Sequence, residues 1–445
     1  MTFRENALEQ DAVNAAARPV APPGARIVAS RWRRNLLLFL LVFGPGLIVM
    51  EADNDAGAVT TYTQAGAQYG LHLLWVLVLL LPITYFCQEM VARLGIATGE
   101  GHAAMIYKRF GHWWGRFSLV DLELVNFLTI VTEFAGIALA ADALGISVYI
   151  AVPLFAVGLV ALVLTGSYRR WERITIVLCL LDLSWLAFAV AVGPNVGDVA
   201  HNSAVPNIPP GGITGSLTFL VIAIVGTTIA PWQLFFQQSC VADKRLRFAD
   251  LTHARLDTFI GACFTIIVAG LMMMVGDLSF RHGLNFTDPG QMARDLGPYA
   301  GPLVRYGVPL LFINAAILGA TAVSLASSWA FAEVRGVPHS LQMSWHDAPG
   351  FYGAYGFFIV VAAAIVLIPH APLNLIILSV QVLAGIMLPV ALIFLQLLLN
   401  DRELLGDRWI NKRWNNTVNW VIIALLFVLS LLLATQVIFP SLFPS

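Results

Sequence analysis

The chain has 445 residues, 58% hydrophobic and 11% charged, with a formal net charge of −1 and a mean hydropathy of +0.79. Soluble proteins carry about 25% charged residues, so the composition excludes a water-soluble globular chain, and the balanced charge leaves no basic footprint for nucleic acid. Cys87, Cys179, Cys240 and Cys263 lie in or beside apolar segments without a close pair, which argues for packing residues and against a disulfide framework or zinc cluster.

Residues 1–34 are polar, Ala/Pro-rich and end in Arg31, Arg33 and Arg34. They predict a disordered cytoplasmic tail without the apolar core of a cleavable signal. A bilayer crossing needs about 20 apolar residues. That rule predicts about eleven spans: 35–54 joined to 57–71 as one interrupted helix, then 72–93, 117–141, 147–166, 173–193, 213–237, 255–279, 302–332, 351–369, 373–399 and 417–438. The expected architecture is an all-α polytopic membrane domain over 35–438, followed by a short extracellular tail at 439–445.

Orientation follows from the connections. Basic residues crowd the N-terminal tail, the stretch from Arg93 to Arg116, then Arg169, Arg170 and Arg173, then Lys244, Arg245 and Arg247, then Arg335, and finally Arg402, Arg408, Lys412 and Arg413. The alternate connections at 193–212 and 370–375 have no Lys or Arg, and only the loop around Arg281 and Arg294 departs from the pattern. The positive-inside rule places the N-terminus in the cytoplasm and, with an odd span count, the C-terminus outside.

Two spans are interrupted. In Glu51-Ala-Asp-Asn-Asp55, three carboxylates fall within five residues of an apolar run, although one charge at mid-bilayer costs about 2.5–3.5 kcal/mol on the lenient scales. In 225–239, Thr227, Thr228 and Pro231 interrupt a later span. Pro231 has no N–H to give its helix, so Gly226 to Ala230 are expected to carry free carbonyls. Non-helical backbone at this depth persists only where it is buried in protein or lines a cavity. Two interrupted spans about five segments apart point to an inverted-repeat transporter with its site at the midplane. The alternative is a pair of simple kinks with satisfied polar clusters.

Gly44-Pro45-Gly46, Asp55-Ala56-Gly57-Ala58 and Ala65-Gly66-Ala67-Gln68-Tyr69-Gly70 resemble, in order and spacing, the first-helix signature of the Nramp divalent-metal transporters. Ala92 to Gly99, Thr132 to Gly136, Asn400 to Asp407 and Gly226 to Gln233 are similar to further stretches of that family. The resemblance covers nearly all of the chain after the tail. It implies the LeuT-type fold, ten helices in two inverted repeats of five plus one extra, and transport of a divalent cation by alternating access.

The departures bear on the cargo. Ala58 stands where the family has Asn, and Ala230-Pro231-Trp232 where it has Met-Pro-His. A thioether favours soft transition ions. Magnesium is held through one or two carboxylates, carbonyls and retained waters. The pattern therefore looks like the Nramp-related magnesium transporters. Ile130 replaces the family's third-helix Asp, and Trp232 and Gln237 occupy its sixth-helix His positions. None of these three relays a proton near neutral pH, which implies weak or no proton coupling, with Glu133 and Glu123 as remaining coupling or vestibule acids, or else as hydrogen-bonded structural ones.

The expected metal site thus comprises Asp55, backbone carbonyls near Asn54 and from Thr227 to Ala230, and Gln381, whose position resembles a tenth-helix Gln lining the family's site. Asp53 either adds a second charge or faces an aqueous vestibule. Glu51 is expected to be protonated or paired within the bundle. Asp121, Asp142, Asp182 and Asp257 have functional and structural readings alike, and Met272 to Val275 is read as lipid-facing or core packing. No cofactor, enzymatic activity, nucleic-acid partner or obligate protein partner is expected; the partners are the lipid bilayer of the cytoplasmic membrane and Mg²⁺ or Mn²⁺ as transported substrate. All nine histidines lie at or beyond segment ends, which disfavours a membrane-embedded His-dependent hydrolase, and no Walker-type loop suggests an ATP-driven pump. Three alternatives stand beside this reading. They are a proton-coupled Mn²⁺/Fe²⁺ importer, a transport-inactive receptor or scaffold, and an amino-acid carrier of the same fold, the last opposed by the anionic charge of Asp53 and Asp55.

Overall fold

The computed structural model describes residues 44–438. The expected tails at 1–34 and 439–445, and residues 35–43 of the expected transporter domain, lie outside the described residues. The interrupted first span is α1 (Pro45–Glu51) followed by α2 (Ala56–Tyr69). Then come α3 (Leu74–Thr98), α4 (His102–Ala143), α5 (Val148–Val163), α6 (Tyr168–Leu181) continued through a 3₁₀ turn (Asp182–Ser184) into α7 (Trp185–Val192), and a short α8 (Val196–Ala204). The second interrupted span is α9 (Gly215–Thr228) and α10 (Pro231–Asp243). It is followed by α11 (Leu251–Arg281), α12 (Pro289–Arg335), α13 (Pro349–Val366), α14 (Leu373–Leu398), a short α15 (Arg402–Trp409) and α16 (Arg413–Ile438). No strand occurs among the described residues.

Among the described residues nine helices are long and apolar enough to cross a membrane, with two-part crossings such as α9–α10 counted whole, and Val148–Val163 is a shorter apolar one. Together with the broken α1–α2 pair they account for the eleven expected crossings.

The breaks fall at the first member of each group of five. The third members also correspond. Gly111 in α4 and Gly301 in α12 both interrupt their helices at positive φ, 84° and 78°, with ψ of −180° and −177°. Such a conformation is open to Gly and strained for other residues. Beyond these bends α4 and α12 run along each other at the centre of the bundle, and α11 packs along α1 and α2. This is the LeuT-type arrangement of two five-helix repeats plus an extra helix.

A long-range cap fixes α1. Its first N–H groups have no partner within the helix. They donate instead to the buried Asp257 carboxylate of α11: Gly46 at 2.7 Å, Leu47 at 3.2 Å and Gly44 at 3.3 Å. A carboxylate at a helix N-terminus is also favoured by the helix dipole. Asp257 thereby receives its structural reading, as does Asp142, which pairs with Arg294 at 3.1 Å. Met272, Met273 and Val275 are buried in the core, so the methionine run is packing. All four cysteines are free thiols.

Candidate cation site

Where α1 stops, the Ala52 N–H still donates to the Ile48 carbonyl at 2.8 Å and the Asn54 N–H to the Glu51 carbonyl at 3.0 Å, but the carbonyls of Ala52, Asp53 and Asn54 accept no hydrogen bond among the described residues. Asp55 caps α2, its Oδ1 accepting from the Ala58 N–H at 2.9 Å. Such capping satisfies one orphan donor of the new helix. At the second break the cause is Pro231, which occupies the first position of α10 and offers no N–H to Thr227. The carbonyls of Gly226, Thr227, Thr228 and Ile229 accept no hydrogen bond among the described residues, whereas that of Ala230 takes the Gln233 N–H at 3.2 Å. The carbonyl end of each half-helix carries partial negative charge. Both breaks therefore present oxygens suited to a cation.

The carboxylates are deeply placed. Asp53 is 1% exposed and Asp55 2%. Neither forms an ion pair with Lys or Arg; all the pairs among the described residues lie elsewhere. Both Asp53 oxygens, Asn54 Oδ1 and Thr227 Oγ1 are buried without a hydrogen-bond partner. Groups in this condition cost free energy unless a partner is supplied. Asn54 uses its Nδ2 on Glu51 Oε1 at 3.1 Å and the Thr265 carbonyl at 3.3 Å, so its oxygen stays available.

Gln381 of α14 lies between the two breaks. A Cβ on Gly57 would fall 1.7 Å from Gln381 Nε2 and 3.0 Å from Asp55 Oδ1, and one on Gly226 would fall 2.0 Å from the Gln381 carbonyl. Both glycines are required for this close approach of α14. Its Nε2 is buried and unpartnered. Among the predicted residues the structure thus gathers Asp53, Asn54, Asp55, Thr227, Ala230 and Gln381 around the two breaks. No group of three or more His, Cys, Asp or Glu side chains poised to hold a metal occurs among the described residues. A bound cation would draw its other ligands from carbonyls, amides and water.

Of the two predicted coupling acids, only Glu133 is at this site. Its Oε2 accepts the Ala56 N–H at 3.0 Å, and its carboxyl group lies beside Asp55, both of them against Gly319. Glu123 lies ten residues earlier on α4, about 15 Å away along the helix, with both carboxyl oxygens unpartnered. Glu51 faces Asp182, which accepts from Asn314 at 2.9 Å.

Other residues complete the site. Gly319 of α12 packs on the carboxyl pair, where a Cβ would come 2.6 Å from Glu133 Oε2 and 2.7 Å from Asp55 Cβ. Gln233 neighbours Asp53 and accepts from Gln88 of α3 at 2.7 Å. Tyr62 bonds Thr228 at 2.7 Å, joining α2 to α9, and Tyr69 donates to Ser216 at 3.2 Å farther along the same two helices. On the opposite side the Lys244–Glu172 pair at 2.6 Å joins α10 to α6. The residues of the site are buried, with side-chain ties on both sides of it.

A family model described as "Nramp: Natural resistance-associated macrophage protein-like" matches residues 46–436. The chain is 28% identical over 418 residues to "Divalent metal cation transporter MntH 1" of Pseudomonas aeruginosa, covering 90% of this chain and 92% of that one. It is 27% identical over 430 residues to "Divalent metal cation transporter MntH" of Staphylococcus saprophyticus, with coverages of 91% and 93%. Among solved structures it is similar to the Eremococcus coleocola manganese transporter, with a TM-score of 0.71 at 19% identity over 95% of this chain and 91% of the other. It is also similar in fold to MhsT in complex with L-phenylalanine, with a TM-score of 0.54 at 13% identity, covering 92% of this chain and 100% of the other.

Proposed function

This chain belongs to the Nramp family of membrane transporters for divalent metal cations, and from that premise we propose that its preferred cargo is hydrated Mg²⁺, with Mn²⁺ also accepted. Transport proceeds by alternating access with weak or no proton coupling. The protein sits in the cytoplasmic membrane with its N-terminus inside and C-terminus outside, as the loop charges indicate.

The observation that carries the proposal is the buried Asp53–Asp55 pair, without a cationic side-chain partner, between two helix ends whose carbonyls are free. A divalent ion would neutralise charge that is otherwise costly at this depth. The donors are oxygens throughout: carboxylates, carbonyls, Asn54 Oδ1 and, with its amide turned over, Gln381 Oε1. Ala230 contributes only a methyl group in place of a thioether, removing the preference for soft ions. Few carboxylates with many carbonyls and retained waters suit magnesium, which dehydrates reluctantly. Ile130 and Trp232 are wholly buried, and neither they nor Gln237 can carry a proton. The relatives' names support a divalent metal cation as cargo.

A proton-coupled Mn²⁺/Fe²⁺ importer has one observation in its favour, the placement of Glu133 beside Asp55, since two buried carboxyl groups side by side share a proton readily. The deciding experiment is uptake into proteoliposomes with a Mg²⁺-sensitive dye, Mn²⁺ in competition and internal pH followed in parallel. Saturable Mg²⁺ entry at constant pH, inhibited by Mn²⁺ and absent in Asp55→Ala, supports the proposal. Mn²⁺ entry with acidification and no Mg²⁺ signal selects the importer, and no flux of any divalent ion would leave a transport-inactive receptor.

A further inference from the structure

Away from the cation site, α3, α11 and the α15–α16 connection enclose an open hollow of about 500 Å³ on the side rich in basic residues. Its wall holds three cations, Arg93, Arg255 and Lys412, and one carboxylate, Glu89. Arg93 is committed to structure. Its Nη1 donates to the Trp409 carbonyl at 2.8 Å, its Nη2 to Asn411 Oδ1 at 2.6 Å, and its Nε to Glu89 at 3.3 Å. Arg255 reaches the same Glu89 oxygen through Nη2 at 2.7 Å and Nε at 2.9 Å. One carboxylate therefore serves two guanidiniums, and Arg255 remains 45% exposed. Lys412 forms no ion pair among the described residues and is exposed. The hollow thus has positive charge that nothing in its wall neutralises.

Its surroundings identify the solvent it faces. Trp414, 53% exposed, sits edge-on to Phe86, and Tyr85 meets the half-exposed Phe259 edge-on. Aromatic rings of this kind collect at the headgroup level of a bilayer. One to two turns along α3 the surface turns aliphatic, with Val78 and Leu79 exposed. A cationic hollow rimmed by aromatics and continued by an aliphatic strip matches the three regions of a phospholipid: phosphate, interface and acyl chain. Basic pockets between membrane helices on the cytoplasmic side suit anionic headgroups.

We propose that this hollow binds the phosphate of an anionic phospholipid, held by Arg255 and Lys412 with its acyl chains along the Val78–Leu79 strip. A zwitterionic lipid is disfavoured because its own ammonium would neutralise the phosphate and meet the unspent cations. The site couples to transport geometry through Arg255, which lies on the same helix as Asp257, the cap of α1.

The test uses the purified full chain in native mass spectrometry and thermal unfolding, with phosphatidylglycerol, phosphatidylcholine and inorganic phosphate as probes. The wild type is expected to retain phosphatidylglycerol and be stabilised by it. Lys412→Gln and Arg255→Gln should each weaken retention about five-fold, the loss expected for one basic residue at an anionic surface. Arg335→Gln, a cation stacked on Phe331 elsewhere, should not. Lys412→Gln breaks no internal ion pair, so it remains informative if Arg255→Gln fails to fold. Equal retention of phosphatidylcholine, undiminished retention by Lys412→Gln, or the same stabilisation by inorganic phosphate alone would each overturn the lipid site.

Discussion

Replacing Gly57 with Ala tests whether Gln381 reaches the transported ion. The new Cβ would lie 1.7 Å from Gln381 Nε2, where ordinary contacts begin at 3.4 Å, so the amide must withdraw by about 2 Å to restore normal packing. Because the obstacle is the end of a flexible side chain, the protein should still fold. Forcing the side chain off its rotamer costs about 0.5–1.5 kcal/mol, and losing its polar contact costs about 0.5–1.5 kcal/mol more. The sum corresponds to a KM for the divalent ion raised by about 5- to 150-fold. Uptake kinetics in proteoliposomes measure this, with monodispersity in detergent as the folding control. Gln381→Ala should move KM in the same direction, and the double variant should be no worse than the poorer single, because both changes remove one contact. Unaltered KM in Gly57→Ala, or losses that multiply in the double variant, would refute a role for Gln381.

Asp55→Ala should lower uptake at least about 30-fold, since truncating one partner of a buried charge pair costs about 2–5 kcal/mol; residual transport near wild type would remove Asp55 from the ligand set. Ala230→Met should shift competition toward Mn²⁺ and Cd²⁺ over Mg²⁺ by about tenfold, equivalent to ~1.4 kcal/mol, and unchanged selectivity would show that the side chain at 230 does not face the ion. Asp257→Ala removes the acceptor of three α1 N–H groups. A loss of about 2–4 kcal/mol of stability is expected, with faster hydrogen exchange at 44–52, whereas protection equal to wild type would mean that α1 is held by packing alone. Internal pH should stay constant during Mg²⁺ entry, and acidification in proportion to the metal moved would refute weak coupling.

The span count, the alternation of basic loops and the two breaks were legible along the chain because each is a local conflict with a uniform solvent. Acidic residues at 51–55 violate hydrocarbon, and Pro231 violates the helix. The free carbonyls of Gly226 to Ile229 followed from the missing proline N–H, while the Ala230 carbonyl had a partner in Gln233 that only the following turn of helix could reveal. The placement of Glu133 beside Asp55 was not legible, nor were the Gln88–Gln233 bond and the close approach of Gly319. Asp55, Glu133 and Gln233 stand in stretches that the sequence singles out, but nothing along the chain says which of them pair or that Gln88 and Gly319 join them; they meet only when α2, α3, α4, α10 and α12 converge.

By itself the sequence determined that the chain enters a bilayer, where its helices begin and fail, and which carboxylates stand at the failures. These properties depend on solvation and on hydrogen bonding within a few residues. Tertiary structure alone decided which groups share the site. Asp257 caps α1 from 211 residues away, Glu133 meets the first turn of α2 across 77, and Gln381 enters only because two glycines leave room for it. Such contacts are set by how helices pack against one another, a relation between distant surfaces that periodicity along a single chain does not carry.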